Sequence, residues 1–443
     1  MNITSRITPM ASAAALVLVP VLAAMLAPQI AAAADLDGSP YLLGDWNGQR
    51  TRLAEQGVTF NLGYVSEIAG NTSGGRDKKI RNSDQWLFGS ELDLDKLWGW
   101  QGARFHIDIT NRNGHNLSTD AGLGTFQQVQ EVHGRGQTWR LTNFYLAQSV
   151  LDERLRLKFG RLTIGSDFAG FSCDFQNLTF CGAQPGNLVG SYWGNWPVSV
   201  WAGVASLNTS AHTYLKAGVY QVNPAYFDDD HNVHQGLYPN NPHGTTGALI
   251  PVEFGWLPSV KGLPGSYKAG VWYNTSDSAD LMLDQDRRPL GTTSVGALRR
   301  SGAYGGYINF QQQVTGTAGG QGVSVFLNVS QADKFTAATD SQVALGMEVK
   351  GVSGRPRDMV GLAVGATHGN GRYASYQRTH NRVYPNAQVV VDDGYEVAAE
   401  VFYGWSPIPS LSIRPNLQFV KHPGGSARND DAVVLGLKTL VAF

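Results

Sequence analysis

The chain has 443 residues, of which 16% are charged, and a formal net charge of −1. That balance argues against a nucleic-acid surface, and beyond residue 34 no stretch approaches the ~18 consecutive apolar residues of a spanning helix. Its 53 glycines with 11 Trp, 17 Tyr and 18 Phe suit many strands joined by turns, not a helical enzyme.

The first residues read as an export signal. Met1 to Pro9 carries one cation, Arg6; an apolar run follows to Ile30; Ala31 to Ala34 form a small-residue cleavage site before Asp35. The alternative is a membrane anchor, since the run is long enough to span, but Pro20 and Pro28 interrupt it. The expected organisation is a signal peptide over 1–34, cleaved near Ala34, a periplasmic segment over 35–57 and one domain over 58–443. Within the segment, Asp45 is expected to cap a short helix over 45–56 that carries Arg50, Arg52 and Leu53 and ends at Gly57.

From Val58 onward the apolar residues recur with a period of two, which is strand spacing. The alternation starts with Val58, Phe60, Leu62 and Tyr64, and continues near 84–94 with Trp86, Phe88 and Leu92. Over 102–110 it is clearest: Ala103, Phe105, Ile107 and Ile109 oppose Arg104, His106 and Asp108. Further strands are predicted near 138–149, 154–162, 198–207, 213–223, 250–257, 267–276, 302–313, 321–331, 341–351, 358–367, 394–405, 411–420 and 432–443, sixteen in all. Short connections such as 150–153 and 406–410 alternate with long ones at 69–83, 111–137, 163–197, 224–249, 277–301 and 368–393. Strands of this length with alternating short turns and long loops point to an all-β fold, a sixteen-stranded antiparallel transmembrane β-barrel. A soluble β-sandwich would alternate too, but over this length it needs several domains, and no linker or internal repeat is present. In a barrel the last strand must pair with the first, because lipid offers no partner to backbone groups. Phe443 then lies at the periplasmic interface, with Trp98, Trp100, Trp256 and Trp405 at strand ends near short turns.

Parity assigns the wall. Leu155, Leu157 and Phe159 face lipid, so Arg154, Arg156 and Lys158 face the lumen; a cation at the lipid midplane costs roughly 2–4 kcal/mol. The same reasoning turns Glu91, Asp93, Arg104, His106, Asp108, Arg140, Glu253, Lys268, Trp272, Glu400 and Arg414 inward. Arg offers five fixed donors to hydroxyl groups and facing carboxylates accept from them. The plainer alternative is that these charges pair with one another and keep the lumen wet. Cys173 and Cys181, eight apart in an exported chain, read as one disulfide, against two reduced thiols; no motif for a metal accompanies them.

Particular stretches add a resemblance. "LLGDWNGQRTRLAEQGVTF", Leu42 to Phe60, is similar to the opening of the OprB-type carbohydrate-selective porins, with Asn47 in place of a Gly. "LTNFYLAQSVLDERLRLKFGRLTIGSDF", Leu141 to Phe168, and "YEVAAEVFYGWSPIPSLSIRPNLQFVKHPGG", Tyr395 to Gly425, resemble later strands of that family. The resemblance implies an outer-membrane barrel of a Gram-negative bacterium that passes monosaccharides by facilitated, passive diffusion, without catalysis or cofactor. It also implies that the long segment after the fifth strand folds inward as a constriction loop. There Asp174, Gln176, Asn177, Trp193 and Trp196 would meet the solute, and the Cys173–Cys181 pair would stiffen the loop. Expected partners are outer-membrane lipid and lipopolysaccharide, monosaccharide solutes, and the barrel-assembly machinery reading Phe443, with no nucleic acid; monomer and homotrimer both remain open. A general or anion-preferring pore is the near alternative, favoured by the basic wall. An enzyme barrel would need a nucleophile beside a base, and no Gly-x-Ser-x-Gly or His-Glu-x-x-His motif is found. A receptor barrel would act through its outer loops.

Overall fold

A computed structural model describes residues 38–443 except Ser353; the export signal expected over 1–34 lies outside the described residues. The strands are β1 (Val58–Ser73), β2 (Ile80–Asp93), β3 (Ala103–Gly114), β4 (Trp139–Val150), β5 (Leu155–Leu162), β6 (Val200–Asn208), β7 (Thr213–Val222) and β8 (Gly247–Trp256). They continue as β9 (Leu263–Asp284), β10 (Ala297–Gln313), β11 (Gly322–Ala332), β12 (Thr339–Val352), β13 (Arg355–Gly369), β14 (Tyr395–Ile408), β15 (Leu411–Lys421) and β16 (Ala432–Ala442). Each pairs antiparallel with the next, and β16 pairs with β1 from Gly63↔Ala442 to Ser73↔Val433, which closes the barrel. A further two-residue piece, Ser259–Val260, only extends the β8–β9 hairpin beyond Pro258.

The sixteen expected strands are all present. Their alternation has an inverted meaning compared with a soluble domain. In β8 the outward Ile250, Val252, Phe254 and Trp256 are exposed, while Leu249, Pro251, Glu253 and Gly255 are buried. Glu253, Glu400, Gln418 and Lys438 lie inside at 0–2% exposure, and Leu345, Leu362 and Leu435 lie on the outside. A polar interior with an apolar exterior is stable only when the exterior meets hydrocarbon.

Several boundaries differ from expectation. The long loop expected over 69–83 is a tight connection over 74–79, because β1 and β2 run on past the lipid-facing zone. Asn71 closes it, donating from Nδ2 to the carbonyls of Gly74 and Asp77 at 2.8 and 2.9 Å. Likewise β9 continues to Asp284, pairing Asp277 with Ser301 and Ala279 with Arg299 in a polar hairpin. A helix, Gly371–Val383, stands in the long connection before β14; Asn370 caps it.

Asp93, expected on the channel wall, instead caps the helix Leu94–Trp98 in the β2–β3 turn, accepting from the N–H groups of Asp95 and Lys96. Arg154, expected in β5, sits exposed in the turn over 151–154, where Leu151, Asp152 and Glu153 all have positive φ. Neither lines the channel.

The N-terminal helix, α1, spans Gln49–Glu55 and starts at Gly48, whose φ of 82° precedes the first turn. Gly48 rather than Asp45 holds the N-cap position, but Asp45 does cap the first turn from three residues further back: its carboxylate accepts from the N–H and hydroxyl of Thr51 at 2.9 Å each. The buried guanidinium of Arg50 donates to the carbonyls of Phe443 and Phe60 at 2.7 and 2.9 Å, and stacks over Tyr41 and Trp46. Leu42 N–H donates to Ala442, and Phe443 N–H to Leu62. The Phe443 ring stacks on Trp86 at 5.7 Å, outside the wall. Arg50 therefore ties the β1–β16 seam together at the short-turn end.

Arg50→Ala should lower the stability of the folded barrel by about 2–4 kcal/mol, given two charge-assisted hydrogen bonds. Arg50→Lys should recover only part of it, since an ammonium cannot bridge two carbonyls in a plane. Heat-modifiable gel mobility measures both.

Candidate channel waist

The connection over 163–199 enters the lumen. Chain that leaves a sheet ladder carries backbone groups that need new partners. The wall supplies them from many strands. Ala169 N–H donates to Glu253 Oε2 at 2.9 Å; Gln176 and Asn177 N–H donate to Glu400 Oε1 and Oε2 at 2.8 and 2.7 Å. The carbonyl of Gly170 accepts from Lys268 Nζ at 2.6 Å, that of Ala169 from Asn309 at 2.7 Å, and that of Phe175 from Lys438 Nζ at 2.8 Å. Arg414 Nη1 donates to the carbonyl and the carboxylate of Asp174 at 2.8 and 2.9 Å. Lys158 Nζ reaches Asp167 Oδ1 at 2.5 Å. The side chain of Gln176 accepts from Asn416 at 2.8 Å, and Asn177 Nδ2 donates to Gln418 at 2.9 Å.

Apolar packing completes the attachment. Trp193 is fully buried, edge-on to Trp272 at 5.4 Å and to Tyr307 at 6.3 Å. Phe175 packs on Phe180, Phe326 and Phe402. Cys173 and Cys181 form the expected disulfide, with Cα atoms 4.4 Å apart.

A second connection, over 115–138, also turns inward, which the sequence reading did not anticipate. Phe126 and Gln127 N–H donate to Glu396 at 2.5 and 3.0 Å, and Val132 N–H donates to Glu67 Oε2 at 3.1 Å. The two inward segments bond each other: Leu178 N–H to Gln128 O and Glu131 N–H to Gln176 O, both at 2.9 Å. Lys438 joins Glu131 at 2.9 Å and Glu67 at 3.2 Å. The amide-rich run Gln127-Gln128-Val129-Gln130-Glu131 was the available signal, because extended chain in a wet lumen needs polar groups on both sides.

The inward residues thus fall into two groups. Glu253, Lys268, Trp272, Arg414, Gln176, Asn177 and Trp193 face inward but are spent on the loop, and most are buried. Arg140 is 4% exposed, with its Nε and Nη1 donating to the carbonyls of Arg135 and Tyr226 at 2.7 and 3.2 Å. These residues, expected to contact solute, are instead placed with their polar groups bonded to loop chain.

The open group lies on β2–β5. Glu91 accepts from Arg104 Nη1 at 3.0 Å, with side chains 33% and 54% exposed. His106 Nε2 contacts Asp108 Oδ2 at 2.7 Å, and Asn143 donates to the same oxygen at 2.7 Å. The Tyr145 ring stacks on His106 at 5.1 Å and lies below Lys158 Nζ. Arg156 is exposed, and its side chain has no hydrogen bond or ion pair among the described residues. Higher up, Trp196 Nε1 and Arg112 Nε both donate to Gln85 Oε1 at 2.9 Å, and Arg135 Nη2 donates to Gly190 O at 2.9 Å. Arg112, Gln85 and Arg135 were missed; β3 runs to Gly114, four residues beyond its expected end at 110, and so carries Arg112 into the wall. Beside Arg112, burial and then that guanidinium's charge hold the His133 imidazole down to about 4, so it is neutral at pH 7.

This geometry has counterparts. Residues 77–443 match the model of the carbohydrate-selective porin, OprB family. Porin B of Pseudomonas aeruginosa is 41% identical over 429 residues, 93% of each chain. A putative porin, QuiX, of Acinetobacter baylyi is 33% identical over 95% of this chain and 98% of its own. The high-pH structure of Pseudomonas putida OprB superposes with a TM-score of 0.88 at 39% identity, covering 91% of this chain and 99% of that one. A closed sixteen-stranded barrel with a narrowed lumen and these relatives lead to one assignment: the chain belongs to the carbohydrate-selective porin, OprB family.

Proposed function

We propose that this outer-membrane porin passes monosaccharides, glucose-like sugars and polyols, by facilitated passive diffusion. The observation that carries it is the open Glu91–Arg104 pair beside Arg156, Lys158 and Tyr145 on one arc of the wall. A carboxylate there accepts from sugar hydroxyls, and the guanidinium groups donate to their oxygens. Each contact replaces one with water, so the net gain per hydrogen bond is small and the solute is released onward. Export through the signal over 1–34 and insertion guided by Phe443 belong to the same reading, as does an annulus of lipid and lipopolysaccharide.

The exposed, unpaired Arg156 favours a second reading, an anion-preferring pore. Two measurements separate them. In liposomes, swelling should be faster with glucose than with a disaccharide, an amino acid or gluconate of equal osmolarity; rates ordered by size alone would mean a general pore. Arg104→Gln should slow glucose entry by about two- to tenfold, the worth of one hydrogen bond. In a salt gradient Arg156→Gln should move the reversal potential toward cations, and Glu91→Gln toward anions.

A further inference from the structure

We infer that the limiting width of the channel is set by buried glutamates acting as pegs for two loops, with Glu396 and Glu400 of β14 as the principal positioning residues. The inference rests on the channel reading but not on which solute passes. Glu67, Glu253, Glu396 and Glu400 are 0–2% exposed, so none can accept from a passing sugar. Each accepts instead from the backbone of an inward segment. Glu396 takes Phe126, Gln127 and Gly424; Glu400 takes Gln176 and Asn177. Glu253 takes Ala169 together with the hydroxyls of Tyr214 and Tyr307, and Glu67 takes Val132 beside Lys438.

The chemistry explains the residue type. Two successive N–H groups pointing the same way need two acceptor oxygens at that spacing, and an ionised carboxylate is a side chain that is acceptor only. An amide of the same shape would turn an NH₂ toward one of the two N–H groups. Glu396 and Glu400 are four residues apart on the inward face of one strand. The segments they hold, 126–127 and 176–177, belong to loops that bond each other through Gln128, Glu131, Gln176 and Leu178. The two loops therefore form one partition, and β14 fixes its distance from the wall. Loop 115–138 is as much part of the waist as loop 163–199.

The test is single-channel conductance in planar bilayers and the ratio of disaccharide to monosaccharide swelling, for Glu396→Gln, Glu400→Gln and, as control, Glu153→Gln in the exposed turn. Folding is checked by heat-modifiable mobility. The pegs face inward and leave the strand ladder intact, so both variants should fold. Each should raise conductance about twofold or more and raise the swelling ratio, while Glu153→Gln changes neither. Lower stability without loop movement leaves the ratio where it was, so the ratio distinguishes positioning from general support. Should a glutamate variant not insert, Gln418→Ala asks the same question, because Gln418 accepts from Asn177 and donates to Val129 O, one contact to each loop. Unchanged conductance and ratio in folded variants overturn the inference. A change with Glu400→Gln alone overturns the part given to loop 115–138. A wild-type pore without preference for monosaccharides would sink the sugar reading and leave this one standing.

Discussion

Every backbone N–H taken out of water needs an acceptor, and the whole molecule is arranged around that demand. In the wall, the next strand supplies the acceptor, and the pairing of β16 with β1 leaves no edge facing hydrocarbon. Inside the lumen no strand is available. An unsatisfied buried donor costs about 1–3 kcal/mol, and the two inward loops present many. Carboxylates on β1, β8 and β14 take the place that water or a neighbouring strand would occupy elsewhere. At the seam, Arg50 answers the converse need, giving donors to carbonyls at the last rung of the ladder.

This demand sorts the polar residues of the interior. Those opposite a loop are spent on it: Glu253, Arg414, Lys268 and Lys438 each hold loop backbone or a loop carboxylate. On the arc from β2 to β5, by contrast, Glu91 pairs with Arg104 across the two strands and both keep exposure to the lumen, as does Arg156. A cation or carboxylate has different chemistry in the two places although its parity in the strand is the same.

The sequence was legible where lipid imposes a pattern. Alternation such as Phe105, Ile107, Ile109 against Arg104, His106, Asp108 survives because one face must be apolar, and it located all sixteen strands. It failed beyond the lipid. The ends of β1 and β2 near Asn71 and Ser83, and β9 from Ser276 to Asp284, have no hydrocarbon to face and therefore no alternation to read. Inward direction was legible for Glu253, Trp272 and Arg414, but their use was not. Their partners Ala169, Trp193 and Asp174 lie 84, 79 and 240 residues away, and only the folded lumen brings them together. Asp93 and Arg154 were misread because a strand's last turn and a cap share their composition with its interior.

The open arc and the pegged partition lie largely on different strands, and this separation has an evolutionary consequence. A lineage acquiring a new carbon source needs a change of solute chemistry without loss of the barrier against larger molecules. On the proposed reading, substitutions at Glu91, Arg104 or Arg156 alter the first, and they touch none of the bonds that hold the loops. On that same reading, a size filter pegged from β1, β8 and β14 is insulated from adaptive change at those three positions, and the pore can drift in preference one residue at a time without passing through a leaky intermediate.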